Sequence, residues 1–131
     1  MNILNTLLSG AILSVAWFIV GSILYTNPTI AKVYNSYKKH PGMKEWKSQP
    51  KYVITMYFLG ALIPSIIMAF VYEFISPVGI LHFGLILLGL RIIPRFFDMW
   101  IQSSYPNKLL VIEIINGTIL SFVAATVLNY V

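Results

Sequence analysis

Four long apolar stretches, separated by short polar segments, set the main constraint on how this chain can fold. The spans are predicted at residues 3–25, 52–74, 77–93 and 109–130. A helix of about 20 apolar residues crosses a hydrocarbon core of roughly 30 Å, because each helical residue adds about 1.5 Å. The chain is therefore predicted to be all-α, a single domain that forms an integral membrane antiparallel four-helix bundle.

The composition supports the same class of fold. Hydrophobic residues make up 58% of the chain and charged residues 10%, whereas a soluble domain carries about 25% charged residues. A water-soluble domain of this size leaves too much of its area exposed to hide so much apolar surface. The chain has no cysteine, which excludes disulfides, thiolate metal sites and thiol nucleophiles.

The basic residues lie on one side of the predicted bundle. Six lysines fall in the polar loop of residues 32–51, and the other basic residues are Arg91, Arg95 and Lys108. With four spans, the loops after the first and third spans share a side, and all nine Lys and Arg residues belong to it. The positive-inside rule therefore predicts that these loops face the cytoplasm and that both termini lie outside the inner (cytoplasmic) membrane.

The net charge of +5 comes from these basic residues, which lie next to the apolar spans. Lysines next to apolar spans are typical of a membrane-flanking loop and not of a surface that binds nucleic acid. The same lysines are expected to attract anionic lipid headgroups, at about 1 kcal/mol for each basic residue near the surface. The predicted partners are thus the lipid bilayer and its anionic lipids, with no nucleic acid.

The third span leaves two alternatives for its arginine. The apolar run that begins at Pro77 is interrupted by Arg91, three residues before Pro94. In one interpretation the helix ends near residue 93, Arg91 extends its side chain to the interface, and a short interfacial helix follows Pro94. In the other, the helix continues past Pro94 and holds Arg91 inside the bilayer. The cost of a buried charge favours the first interpretation.

The fourth span carries one face of small and polar residues, which includes Glu113 and Asn116. One interpretation is a packing surface, because small residues let helix backbones approach closely. The other is a binding site or proton path around Glu113 and Asn116, because an intramembrane carboxylate is costly. The predicted packing residues of the first and fourth spans are Gly10, Ser14, Gly21, Gly117, Ser121 and Ala124.

Ionisable residues near the basic loops provide a candidate binding site. Arg91 and Glu113 lie at similar distances from the cytoplasmic edge and are predicted to form an ion pair. The candidate binding residues are Glu113, Asn116, Arg91, Arg95 and Asp98. No catalytic residue, cofactor or metal site is predicted, because titratable groups are few and the two histidines are expected on opposite sides of the membrane.

Two segments carry a resemblance to a known family. Gly21, Tyr25 and Pro28 reproduce a glycine, a tyrosine and a proline at the end of the first span, followed by a polar loop. Residues 105–110 and 116–117 are similar to a short loop and final span. In these features the chain resembles the small, four-span prokaryotic membrane proteins of the domain of unknown function 1761 family. The resemblance implies the four-span topology and no particular activity.

Three classes of function remain open. The leading one is a protein that binds or moves a small hydrophobic or lipidic molecule through the face that carries Glu113 and Asn116. The second is a structural or accessory subunit of a larger membrane complex. The third is a lipid-modifying enzyme, with arginines that hold a phosphate and with Asp98 or Glu113 as the base. The small-residue faces also predict a homo-oligomer or a membrane complex.

Overall fold

The computed structural model describes residues 2–44 and 47–131, and this part of the chain contains helices and no strand. The helices are α1 (Ile3–Thr26), α2 (Pro28–Ser36), α3 (Gln49–Ile75), α4 (Ile80–Gln102) and α5 (Asn107–Tyr130). Within the described ranges, all of these except α2 are long and apolar enough to cross a membrane. The predicted all-α four-helix bundle is confirmed. Residues 45 and 46 of the predicted basic loop lie outside the described residues.

Asn27 separates α1 from α2. Its side-chain oxygen accepts a hydrogen bond from the backbone N–H of Ile30 at 3.1 Å, and its amide nitrogen donates to the carbonyl oxygen of Leu24 at 2.7 Å. Pro28 takes the first position of α2, where a missing N–H has little consequence. The end of the first span is therefore close to its predicted place, but the prediction missed the nine-residue helix that follows it.

Both α3 and α4 pass a proline without ending. Turns of π-helix at Met56–Leu62 and at Leu88–Ile92 lead into Pro64 and Pro94. Proline leaves the carbonyl four residues before it without its α-helical donor, whereas a π turn lets that carbonyl bond to the N–H five residues on. The prediction that the third span ends near residue 93, before a separate interfacial helix, is wrong, because α4 continues to Gln102.

The shared contacts of α1 and α5 organise the bundle. α3 lies along α1, α4 lies along α5, and α1 and α5 contact each other. The second half of α3, Ile63–Ile75, reaches α5 as well as α1, whereas the turns at Met56–Leu62 lie against α1. In the half near the basic loops, α1 and α4 therefore form the walls of a groove, and α5 forms its floor. We call this the α1–α4 groove.

Most of the predicted small-residue face packs within the chain itself. A Cβ atom added to Gly10 would lie 2.8 Å from the Cα of Ile66, and one added to Gly117 would lie 2.7 Å from the side chain of Ile92. The other buried members of this set are Ser14, Ser121 and Ala124. Gly21 differs, since its added Cβ would meet only an ordinary contact at 4.0 Å. Because these residues already pack inside one chain, they give no separate reason to expect a second copy.

We expect Gly10→Ala to lower the free energy of unfolding by about 1–3 kcal/mol, because the new methyl group forces α1 away from the backbone of α3. Gly21→Ala is the matched control on the same helix and is expected to leave stability within about 0.5 kcal/mol. Reversible unfolding in mixed detergent micelles, followed by tryptophan fluorescence, measures both. Equal stability of the two variants would contradict the close approach of α1 and α3.

Candidate functional site

Polar and ionisable side chains gather at the end of the bundle that carries the basic loops. The loop after α2 contacts the link between α4 and α5, since a Cβ atom added to Gly42 would lie 2.7 Å from the carbonyl oxygen of Ser104. The loops after the first and third spans therefore share one end of the bundle, as predicted. The α1–α4 groove begins at this end and extends toward the middle of the spans.

Glu113 is held by an arginine from α4 and by a tyrosine from the link before α5. Arg95 donates from Nη1 to Oε2 of Glu113 at 2.8 Å, and the Tyr105 hydroxyl donates to Oε1 at 3.4 Å. The Glu113 side chain is 18% exposed and that of Arg95 is 53% exposed. The predicted pairing of Glu113 with Arg91 is wrong in its partner. Arg95 lies one turn nearer the basic end than Arg91, and Arg95 is the arginine that bonds to the carboxylate.

Arg91 is the middle residue of α4 and makes a different contact. Its guanidinium carbon lies 4.4 Å from the centroid of the Trp17 ring, which is a cation–π contact. The Trp17 indole N–H donates to the carbonyl oxygen of Leu120 at 2.8 Å, and this fixes the ring against α5. Arg91 is exposed, and no carboxylate of the described residues pairs with it. The structure thus shows the alternative in which α4 holds Arg91 inside the span.

Tyr25, Tyr34 and Tyr105 lie around the loop side of Glu113. The rings of Tyr25 and Tyr34 meet edge to face, with centroids 5.8 Å apart. Burial, and after it the nearby Glu113 carboxylate, raises the pKa of both Tyr34 and Tyr105. Both phenols therefore stay protonated at neutral pH and are hydrogen-bond donors. Sequence reasoning missed this cluster. A signal for it was present, because Asn27 followed by Pro28 is typical of a helix N-terminus and predicts α2. Tyr34 belongs to that helix.

Asn116 lies one turn deeper than Glu113, on the side of α5 that faces α1. It is 4% exposed and lies beside the phenol of Tyr25. Its side-chain nitrogen makes no hydrogen bond of good geometry among the described residues, and neither does the buried hydroxyl of Tyr34, although the phenols of Tyr25 and Tyr105 lie next to these two groups. A buried polar group left without a partner costs about 1–3 kcal/mol. These two groups are therefore the least satisfied part of the cluster.

Asp98 is the one predicted binding residue that the fold leaves outside this cluster. It is exposed on α4 three residues after Arg95, and no ion pair to it occurs within residues 2–44 and 47–131. The fold brings together Arg91, Arg95, Glu113 and Asn116. In the same ranges, no three His, Asp or Glu side chains are close enough to hold a metal ion.

The enclosed space beside the ion pair is too small for an organic ligand. This pocket measures about 30 Å³, which is the share of one water molecule in the liquid. It is lined by Ile92, Arg95, Phe96, Leu110, Glu113 and Ile114. A larger molecule must therefore bind outside this pocket, on an open surface of the bundle.

No protein-family model, curated protein or solved structure matches this chain. The fold itself defines the class: a small helical protein with four membrane-span-like helices. The resemblance to the domain of unknown function 1761 family stays a prediction, because none of these comparisons tests it.

We expect Glu113→Gln to lower the free energy of unfolding by about 1 kcal/mol, because it removes the negative charge that strengthens the interhelical bond from Arg95. Asp98→Asn removes the same charge from an exposed position of α4 and is expected to change stability by less than about 0.5 kcal/mol. Unfolding in mixed micelles measures both variants.

A double-mutant cycle identifies the partner of Glu113. Glu113→Gln and Arg95→Gln are expected to couple, because each removes one charge of the same ion pair. Glu113→Gln and Arg91→Gln are expected to be additive within about 0.5 kcal/mol. Coupling with Arg91 and additivity with Arg95 would reverse the assignment.

Proposed function

We propose that the protein binds an amphipathic lipid with an anionic headgroup in the α1–α4 groove. The observation that carries the proposal is Arg91. Its guanidinium lies at the middle of α4, is exposed toward the groove, and has no carboxylate partner in the described part of the chain. A charge at this depth is costly in a bilayer unless an opposite charge accompanies it. A phosphate headgroup supplies that charge.

The two arginines of α4 form a suitable phosphate site. Arg91 and Arg95 are four residues apart, so they lie on the same face of α4. Glu113 neutralises Arg95, which leaves one net positive charge in the groove. Guanidinium groups bind phosphate oxygens through two parallel hydrogen bonds, and this geometry favours arginine over lysine at such a site.

The surroundings of the groove suit a lipid rather than a soluble anion. Exposed residues of α4 on either side of Arg91 are apolar and include Leu90 and Ile93, so acyl chains have apolar neighbours. Exposed lysines of the loop after α2, such as Lys38 and Lys39, attract anionic headgroups to the same end of the bundle. With the basic loops in the cytoplasm and both termini outside, the lipid enters from the cytoplasmic leaflet of the inner membrane.

The two other functions have less support. Small-residue faces suggested an accessory subunit or a homo-oligomer, but most of those residues pack within the chain. A lipid-modifying enzyme needs a carboxylate free to act as a base, and Glu113 is engaged by Arg95 while Asp98 lies outside the cluster. We therefore rank binding, or movement of a bound lipid, first.

We expect Arg91→Gln to weaken binding of phosphatidylglycerol about tenfold, because one charge-assisted contact of about 1.5 kcal/mol is lost. Lys38→Gln removes the same charge from the exposed loop and is expected to weaken binding less than threefold. Native mass spectrometry of the detergent-purified protein, titrated with the lipid, gives both affinities. Equal losses in the two variants would show attraction by net charge alone and would overturn the arginine site.

We expect single cysteines to report the orientation, since the chain has no cysteine of its own. In right-side-out membrane vesicles, an impermeant maleimide should label Asn2→Cys and Val131→Cys directly. It should label Ser36→Cys and Ser104→Cys only after the vesicles are opened, because these residues flank the basic loops. The reverse pattern would place the basic loops outside.

A further inference from the structure

Trp17 presents a fixed aromatic face to Arg91. The residue belongs to α1 and is 5% exposed. Its indole N–H donates to the backbone carbonyl oxygen of Leu120 on α5 at 2.8 Å. An indole has one N–H donor, so this bond sets the direction of the ring. The ring is therefore held by two spans, while the guanidinium that lies over it belongs to a third, α4.

The contact between Trp17 and Arg91 leaves the hydrogen-bond donors of the arginine unused. The guanidinium carbon lies 4.4 Å from the ring centroid, and a cation over an aromatic face is attracted by the electrons of the ring. A carboxylate partner would instead accept hydrogen bonds from two of the five guanidinium N–H groups. Within residues 2–44 and 47–131, the Arg91 side chain forms neither an ion pair nor a hydrogen bond. Trp17 thus stabilises the charge without occupying the donors that bind an anion.

Such a contact orders a side chain that is otherwise free to move. An arginine has many rotamers, and a site that must order it on binding loses affinity. In a bilayer, an arginine that nothing holds extends its side chain toward water to hydrate the charge. The ring of Trp17 counters both tendencies, because it holds the guanidinium in the α1–α4 groove before a ligand arrives.

We infer that Trp17 is a positioning residue for lipid binding, which holds the guanidinium of Arg91 in the groove and keeps its N–H groups available to the headgroup phosphate. This inference rests on the proposed lipid-binding function. Trp17 does not bind the phosphate itself and acts through Arg91. The five N–H groups lie in the plane of the guanidinium, so a phosphate at the guanidinium edge and the ring at its face are compatible. The contact with Trp17 therefore persists when the lipid is bound.

The experiment changes the electrons of the Trp17 ring and leaves its shape nearly intact. Cell-free synthesis of the full chain places tetrafluorotryptophan at position 17 alone, and fluorine withdraws from the ring face the electron density that attracts a cation. Native mass spectrometry in detergent measures the affinity for dioleoyl phosphatidylglycerol. The fluorinated protein is expected to bind about fivefold more weakly, the factor for ordering one rotamer-rich side chain. The same analogue at Trp100, which is 55% exposed on α4, is the matched control and should keep the wild-type affinity.

A second variant distinguishes positioning from a general effect on the fold. In the Arg91→Gln protein the ring has no guanidinium to hold, so fluorination of Trp17 is expected to cause no further loss of phosphatidylglycerol binding. A ring that only supported the packing of α1 against α5 would weaken binding by the same factor with and without Arg91. The comparison of the two backgrounds therefore measures the part of the effect that acts through Arg91.

Each outcome separates the inference from the function on which it rests. A fivefold loss that requires Arg91 supports the positioning role. Unchanged binding by the fluorinated protein overturns that role while the proposed function stands, and so does an equal loss in the Arg91→Gln protein. Tighter binding also overturns it, because the ring would then compete with the phosphate for Arg91. Absence of phosphatidylglycerol binding by the unmodified protein would overturn the proposed function itself.

Discussion

The hydrogen-bonded ion pair between Arg95 and Glu113 determines how the basic half of the bundle is built. A carboxylate and a guanidinium in neighbouring spans each lose hydration in a bilayer, and each is costly when alone. Bonded at 2.8 Å, the two groups satisfy each other and hold α4 against α5 at one rotation. That rotation also directs Arg91, one turn along α4, toward Trp17. The shape and charge of the α1–α4 groove therefore depend on this contact.

The bundle divides into two halves of different chemistry. In the half away from the basic loops, α3 reaches both α1 and α5, and fully buried side chains such as Phe83 and Ala124 form an apolar core. In the half near the loops, α1 is the one groove-forming helix that α3 lies against. Polar groups line the α1–α4 groove in this half. The apolar core that contains Phe83 and Ala124 thus lies in one half, and the candidate site lies in the other.

The spans could be predicted from the sequence because length and hydropathy alone determine them, and α1, α3 and α5 begin and end within three residues of expectation. The end of α4 could not be predicted in this way. A proline normally indicates the end of a helix, and no residue near Pro94 indicated the π turn that lets α4 continue past it. The same limit applied to the site. Glu113, Asn116 and both arginines were expected near the basic end, but depth along a helix does not specify rotation, so Arg91 was paired with Glu113 in place of Arg95. Tyr34 was missed with α2.

The π turn at Leu88–Ile92 limits which mutations α4 can accept. Such a turn holds one residue more than the α-helix around it, and each residue rotates a helix by about 100°. The segment before the turn places Phe83 in the core, and the segment after it places Arg95 on Glu113. Phe83 and Arg95 can make these contacts at the same time only because the extra residue changes the rotation of the helix between them. A one-residue deletion here would leave α4 apolar and helical, and long enough to span, but would turn the guanidinium of Arg95 away from its carboxylate. Length-neutral substitutions are thus tolerated more readily in this segment than any change in residue number.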